Sequence, residues 1–384
     1  MRNRLGIYFH VPFCKQACTY CDFHFSTQLN KVSELMEAIE LELEWHIKTQ
    51  DCQPLRSVYF GGGTPSVVDP KYLSGFVQTL DKSLGWSGDP EITMEVNPDD
   101  VNPTIIKEWK AIGVNRFSMG VQSFDDHVLR WMNRAHGAQE ADRAIKSLQD
   151  AGLPNITMDI IYGHGMNNDL SWEADIEKFI SYQTPHLSAY ALTIEEKTAL
   201  SHMAEKEKYI PMEDDQVVAQ FLYLHQRLTE MGMDHYELSN YAFPGHQSQH
   251  NSSYWKGLPF WGVGPSAHGY DGHQRRKMNI ANNALYVKGW LNGGEEAYEW
   301  EALSNIQMSN EFWMTGMRTA KGVNLEEWKN KFHLELPKNF DAIIEKWKSN
   351  QYLSLQENTL SCTPSGWMVM DAILSDLFLT ETNY

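Results

Sequence analysis

Between residues 5 and 191, short β-prone apolar runs alternate with amphipathic helical stretches, and the connections are brief. The runs fall at 5–11, 58–60, 92–96, 114–119, 155–161 and 186–191. Helical spacing separates them. In 31–48 it is carried by Val32, Leu35, Met36, Ile39, Leu43 and Ile47, with acids on the other side. Further helices are predicted from about 70, over 137–150 up to Gly152-Leu153-Pro154, and over 213–231 along Val217, Phe221, Leu224, Leu228 and Met231. Strand–helix alternation with short links gives a parallel sheet with helices outside. Six units make an incomplete (β/α)6 TIM-like barrel, an α/β fold whose chemistry sits at the carboxyl ends of the strands.

The first strand runs into Cys14-Lys15-Gln16-Ala17-Cys18-Thr19-Tyr20-Cys21, which holds three of the five cysteines at C-x3-C-x2-C spacing. The N-terminus has no signal-peptide apolar run, so thiolates this dense are soft-metal ligands rather than half-disulfides. Zinc normally takes four protein ligands, and Cys52 and Cys362 are remote. Three thiolates suit a [4Fe–4S] cluster with one iron left open to chelate a small molecule. A zinc-binding scaffold is the competing interpretation.

The other motifs also lie at strand ends. Gly61-Gly62-Gly63-Thr64-Pro65 follows the second run, where glycines allow backbone groups to approach a ligand, or merely permit a turn. Glu95 closes the third run, and Gln122 follows the fourth. Arg134 lies in Met132-Asn133-Arg134-Ala135-His136, and its guanidinium fork suits a carboxylate. For Gln122 and Arg134 a solvated loop position is the plain alternative. Asp159 is flanked by apolar β residues, where a lone acid needs a partner or a ligand. Asp99-Asp100 is expected as a helix N-terminal cap, and the remaining Met and Trp residues as core.

Composition narrows the function classes. The 384 residues are 42% hydrophobic and 21% charged, ordinary for a globular chain. No apolar run approaches the ~20 residues of a membrane span, so stable membrane insertion is not expected and the cytoplasm is the default. The net charge is −18, and the longest basic run is Arg275-Arg276-Lys277. That run is expected as a solvated turn, or else a contact to a propionate or phosphate. Nothing supports nucleic acid as a partner.

The cysteine spacing, with Tyr20 just before the third cysteine, resembles the cluster loop of the radical S-adenosylmethionine (SAM) superfamily. Within it, the chain from Tyr8 to roughly Arg318 is similar to the oxygen-independent coproporphyrinogen III dehydrogenases (HemN) and their HemW relatives. The resemblance implies Cys14, Cys18 and Cys21 as ligands of a SAM-chelating [4Fe–4S] cluster. It also places Tyr8, Tyr20, Gly62, Gly63, Thr64, Glu95, Gln122, Arg134 and Asp159 at SAM contacts. Tyr20 would lie near the adenine and Arg134 near the SAM carboxylate. Reductive cleavage of SAM to a 5′-deoxyadenosyl radical, fed by an electron donor, is the chemistry the superfamily implies.

Two features separate the branches. Dehydrogenases carry a further cysteine two places after the third, where this chain has Phe23. His250-Asn251-Ser252-Ser253-Tyr254-Trp255 matches the HNxxYW motif of HemW proteins, which are regarded as haem chaperones. The expectation is therefore a chain that binds haem and passes it to an acceptor protein; the dehydrogenase activity is the alternative. His250 is the candidate axial ligand, with His246 and His268 as rivals, and Tyr254, Trp255, Phe260 and Trp261 offer flat apolar surface. The expected organisation is a partial barrel over 1–240, a Gly- and aromatic-rich connection over 241–300, and a winged-helix-like α+β module over 301–384. Stretch 243–283 is expected as functional loop. In the last part, helices over 310–320 and 340–348 precede a hairpin over 352–361.

Overall fold

A computed structural model describes residues 5–50, 52–166 and 169–380; the chain ends that serve as outer domain limits lie outside them. Six strands form the predicted parallel core: β1 (Leu5–Val11), β2 (Leu55–Gly62), β3 (Trp86–Val96), β4 (Arg116–Gln122), β5 (Ile156–Tyr162) and β6 (His186–Ala191). They lie side by side in chain order, each parallel to the next. Between them run α1 (Val32–Thr49), α2 (Pro70–Ser83), α3 (Pro103–Ile112), α4 (Asp126–Trp131), α5 (Ala138–Asp150) and α6 (Asp169–Ser181).

The strands alternate in a way that fixes inside and outside. On β1, Ile7, Phe9 and Val11 are buried toward the helices, and Phe9 stacks on Phe76 of α2 at 5.1 Å. Tyr8 and His10 take the opposite, inner face. The inner row continues through Tyr59, whose ring lies 5.9 Å from that of Tyr8. Because that face is polar on every strand, it forms a lumen able to hold ionisable groups.

The sheet does not close. Beyond β6, α7 (Ala199–Glu205) and α8 (Asp214–Glu230) lead to β7 (Asp234–Glu237) and β8 (Asn240–Ala242), with β8 antiparallel to β6. Stretch 243–283, expected as loop, instead holds α9 (Gln249–Trp255), β9 (Phe260–Val263), β10 (His268–Tyr270) and β11 (Arg275–Asn279). With α10 (Asn283–Leu291) and β12 (Tyr298–Ala302), these extend the sheet on the β1 side to twelve strands. Strands of three to five residues are too short to show a period of two, which is why composition misled here.

Two surface expectations are corrected. Glu42, on the acidic side of α1, is fully buried, and so is Lys277, placed on β11 rather than in a solvated turn. The two pair directly, and the ammonium lies over Trp45, Trp290 and Tyr298 at 4.8–5.6 Å. Asn279 Nδ2 and Gly264 N also donate to the carboxylate, each at 2.7 Å. Asp99-Asp100 caps no α-helix. Asn102 caps α3, while the two acids bind Lys15 in the cysteine loop.

The C-terminal part contains α11 (Asn305–Met317), β13 (Val323–Asn324), α12 (Leu325–Phe332) and α13 (Phe340–Ser349). It continues with β14 (Leu353–Gln356), β15 (Thr359–Cys362), α14 (Pro364–Trp367) and α15 (Met370–Leu377). The predicted hairpin is present as β14 and β15, and β13 adds a third antiparallel strand. Trp313, Trp328, Phe332 and Phe340 centre this small core. It is tied to the barrel edge by Leu238 N to Arg318 O at 2.8 Å and by Ala320 N to Tyr236 O at 3.1 Å.

Candidate functional site

The cysteine loop leaves the carboxyl end of β1 and is closed at its base by paired backbone. Cys14 N donates to Ser26 O at 3.0 Å, and Ser26 N to Pro12 O at 2.7 Å. The turn after α4 holds its far side: Thr19 N reaches Met132 O at 3.1 Å, and Asn133 Nδ2 reaches Ala17 O at 2.7 Å. The loop is thereby fixed over the carboxyl ends of β2 to β4. All three thiols are free and partly exposed. Burial pushes the Cys21 thiol up to about 12, so thiolate formation there needs a cationic partner.

The strand ends converge on this loop. Thr64 Oγ1 donates to Cys14 Sγ at 3.5 Å and accepts from Asn97 Nδ2 at 3.2 Å. Arg134 Nη1 donates to Cys18 Sγ at 3.2 Å, while Nη2 donates to Asn97 Oδ1 at 2.7 Å and Gly120 O at 2.8 Å. Its Nε is buried without a partner. Gln122, at φ 67°, follows an irregularity in β4 and packs with Arg134 over Gly120. Tyr20 packs on Val128, Met132 and Ile161.

The glycines have a packing role. A Cβ on Gly62, at φ 112°, would lie 2.7 Å from His10 Nδ1, and one on Gly63 would lie 2.7 Å from Phe13 N. Only glycine lets β2 pass this close beneath the cysteine loop. Gly63 N and Thr64 N then donate to Val11 O and Phe13 O at 3.0 and 2.7 Å.

Two acids lie deeper in the lumen. Glu95 accepts from Tyr59 OH at 2.9 Å and Gly62 N at 3.0 Å, and burial, with Asp159 nearby, pushes its carboxyl up to about 7. Asp159 accepts from Ser118 Oγ at 3.0 Å, and burial raises it to about 6. Tyr8 OH meets His10 Nδ1 at 3.2 Å, and His10 Nε2 donates to His24 O at 2.9 Å. His10, Tyr59 and Asn97 were not singled out in the sequence. The available signal was strand alternation, which aligns His10 with Tyr8 and Tyr59 with Gly61.

The His250 motif is placed elsewhere, at the opposite end of the lumen. Helix α9 is docked there by Glu91, which accepts from Gln249 N and His250 N at 2.9 Å each. His250 is 1% exposed, with Nδ1 on Ser57 Oγ at 2.9 Å and Nε2 on Tyr254 OH at 2.7 Å. Burial lowers its pKa to about 3, so it is a neutral bridge. Iron ligation by His250 would require α9 to release one of these bonds. His268 is exposed, whereas Trp261 is buried against His46.

A cysteine loop over the carboxyl mouth of an open parallel barrel defines a radical-SAM-like α/β protein. The Radical SAM superfamily profile matches residues 8–179, and that of the HemN C-terminal domain matches 303–369. Heme chaperone HemW of Synechocystis sp. is 30% identical over 97% of this chain and 95% of its own. Heme chaperone HemW of Lactococcus lactis is 29% identical over 98% of each chain. The solved coproporphyrinogen III oxidase HemN of Escherichia coli superposes with a TM-score of 0.82 at 18% identity, over 97% of this chain and 89% of that one. The chain belongs to the radical SAM superfamily, in its HemW/HemN family.

The residues present fit that family's cofactors in kind. Three free thiols share one anchored loop, although among the described residues no three His, Cys, Asp or Glu side chains are gathered closely enough to hold a metal ion. The unpartnered Nε of Arg134 is a buried donor suited to an anion. Glu95 and Asp159 would take up negative charge if a cation arrived beside them. Among the described residues no helix is long and apolar enough to cross a membrane.

Proposed function

We propose that this protein is a haem chaperone: it binds haem, carries a [4Fe–4S] cluster with SAM, and delivers haem to an acceptor protein in the cytoplasm. Cys14, Cys18 and Cys21 would hold the cluster, which, given an electron donor, would supply the electron for reductive cleavage of SAM. Arg134 takes the SAM carboxylate, Tyr20 lies at the adenine, and Tyr8, Gly62, Gly63, Thr64, Glu95, Gln122 and Asp159 complete the site. The observation that carries the SAM site is the Arg134 guanidinium, bonded to Cys18 Sγ while its Nε has no partner. The haem role is supported by the HemW relatives and by Phe23, which is 67% exposed where the dehydrogenases carry a cysteine.

Anaerobically reconstituted protein tests both halves. It is expected to give a Soret band on haemin titration, to hand haem to an apo-haemoprotein, and to leave coproporphyrinogen III unchanged with SAM and reductant. Turnover of coproporphyrinogen III, or failure to bind haemin, would contradict the proposal.

A further inference from the structure

A cavity of about 1020 Å³ opens where the barrel fails to close, between the β7 edge, β10 and β11, the end of α9, and α11. That volume is at the upper end of the roughly 300–1,000 Å³ usual for small-molecule sites. Tyr254, Phe260, Tyr270 and Phe312 supply flat apolar wall, and the cavity reaches inward to Tyr8. The register of the strands explains part of this lining. Tyr270 lies opposite both Phe260 and Arg276, and His268 lies opposite Met278, so these side chains share one face of the sheet.

His268 projects into this space, and among the described residues nothing bonds its ring nitrogens. Partial burial and the adjacent Arg276 lower its pKa, which keeps the imidazole neutral and able to bind a metal. His235 also lines the cavity, but it is stacked on Tyr241 at 3.9 Å and held by Leu238 O at 3.1 Å. His273 lies on the turn between β10 and β11, without a strand to fix its direction. Four cations line the cavity, Lys256, Arg276, Lys321 and Lys331, alongside the acids Asp234, Glu311 and Glu327; Arg276 is paired with Glu311 at 2.9 Å.

We propose, resting on the haem binding proposed above, that this lateral cavity is the haem site, with His268 as axial iron ligand. The macrocycle lies against Tyr254, Phe260 and Phe312, and its two propionates meet Arg276, Lys256 and Lys331. Such a site is separate from the SAM mouth but touches the same lumen through Tyr8, whose hydroxyl bonds His10 beneath the glycine turn.

The test is haemin titration of the full chain, followed by absorbance and gel filtration. His268→Ala is expected to weaken binding at least tenfold or to convert the bound haem to a spectrum lacking the nitrogen ligand. Added imidazole should then restore the parent spectrum on the protein-bound haem. Thr315→Trp, which fills the cavity from α11 without touching the iron ligand, should weaken binding similarly, and His273→Ala should leave it unchanged. A His268→Ala variant with the parent's affinity and Soret band overturns the assignment, as does loss of the band in His250→Ala or His273→Ala alone. A parent protein that binds no haemin sinks the haem proposal itself, and this site with it.

Discussion

Arg134 donates to Cys18 Sγ at 3.2 Å from one end of its guanidinium, while its buried Nε has no partner. A guanidinium in that state is poised for a carboxylate, because its desolvation is only partly offset by the bonds it already makes. Arg134→Gln is therefore expected to weaken SAM binding to the reconstituted protein by about 1.5–3 kcal/mol, or roughly ten- to hundredfold. Iron content should be preserved. Equilibrium dialysis with labelled SAM measures the loss; unchanged affinity would remove Arg134 from the site.

The glycine turn gives a packing prediction. Gly63→Ala would set a Cβ 2.7–2.8 Å from Phe13 N and O, both backbone atoms that cannot rotate away. The cysteine loop must shift, at a cost on the order of 1–3 kcal/mol. Reconstituted iron per chain should fall while the far-ultraviolet circular dichroism stays near that of the parent. Full cluster loading in this variant would show that the contact is not what positions the loop.

A third expectation concerns the buried pair behind the sheet. Burial works against the charge on Glu42, yet Lys277 and its other partners hold the carboxyl down to about 2. Glu42→Gln leaves an unpaired ammonium in the interior and should destabilise the fold by about 3–5 kcal/mol. Replacing both residues, as Glu42→Gln with Lys277→Met, should recover part of that loss. Chemical denaturation of the two variants decides it, and equal stability of parent and single variant would count against the pair.

Acid sensitivity follows from His250. Its folded pKa, lowered by burial to about 3, lies below the ordinary 6.5. Between those values the unfolded chain binds the extra proton and the folded chain does not. Its contribution is thus present above about 6.5 and is lost as pH falls toward 3, by an amount on the order of a few kcal/mol. His250→Asn should be less stable at neutral pH but show a flatter decline on acidification. Parallel pH profiles for parent and variant would contradict the buried neutral bridge.

Much of the barrel was legible because each core strand carries enough apolar residues to announce itself and ends in a recognisable turn. The cysteine loop and Gly61-Gly62-Gly63 stood out for the same reason: rare residue types at strand ends. Glu42 and Lys277 did not, since an acid on a helix and a lysine in a basic trio look solvated until β11 covers α1. His10 and Asn97 were hidden for different reasons: strand alternation puts His10 on the lumen side with Tyr8 but does not say that it bonds there, and Asn97 lies just past the end of β3, where no periodicity applies. The shift from loop to sheet over 243–283 has a related cause. Those strands are stabilised by pairing with β1 and with each other, a tertiary effect that local composition does not encode.

The most direct test of the central claim is iron and sulfide analysis, with electron paramagnetic resonance, of anaerobically reconstituted protein before and after SAM. The expected result is iron and sulfide in equal amounts, a signal on reduction that changes when SAM is added, and loss of both in Cys18→Ala. Protein that binds zinc, or no metal, and contains no sulfide after reconstitution would contradict it.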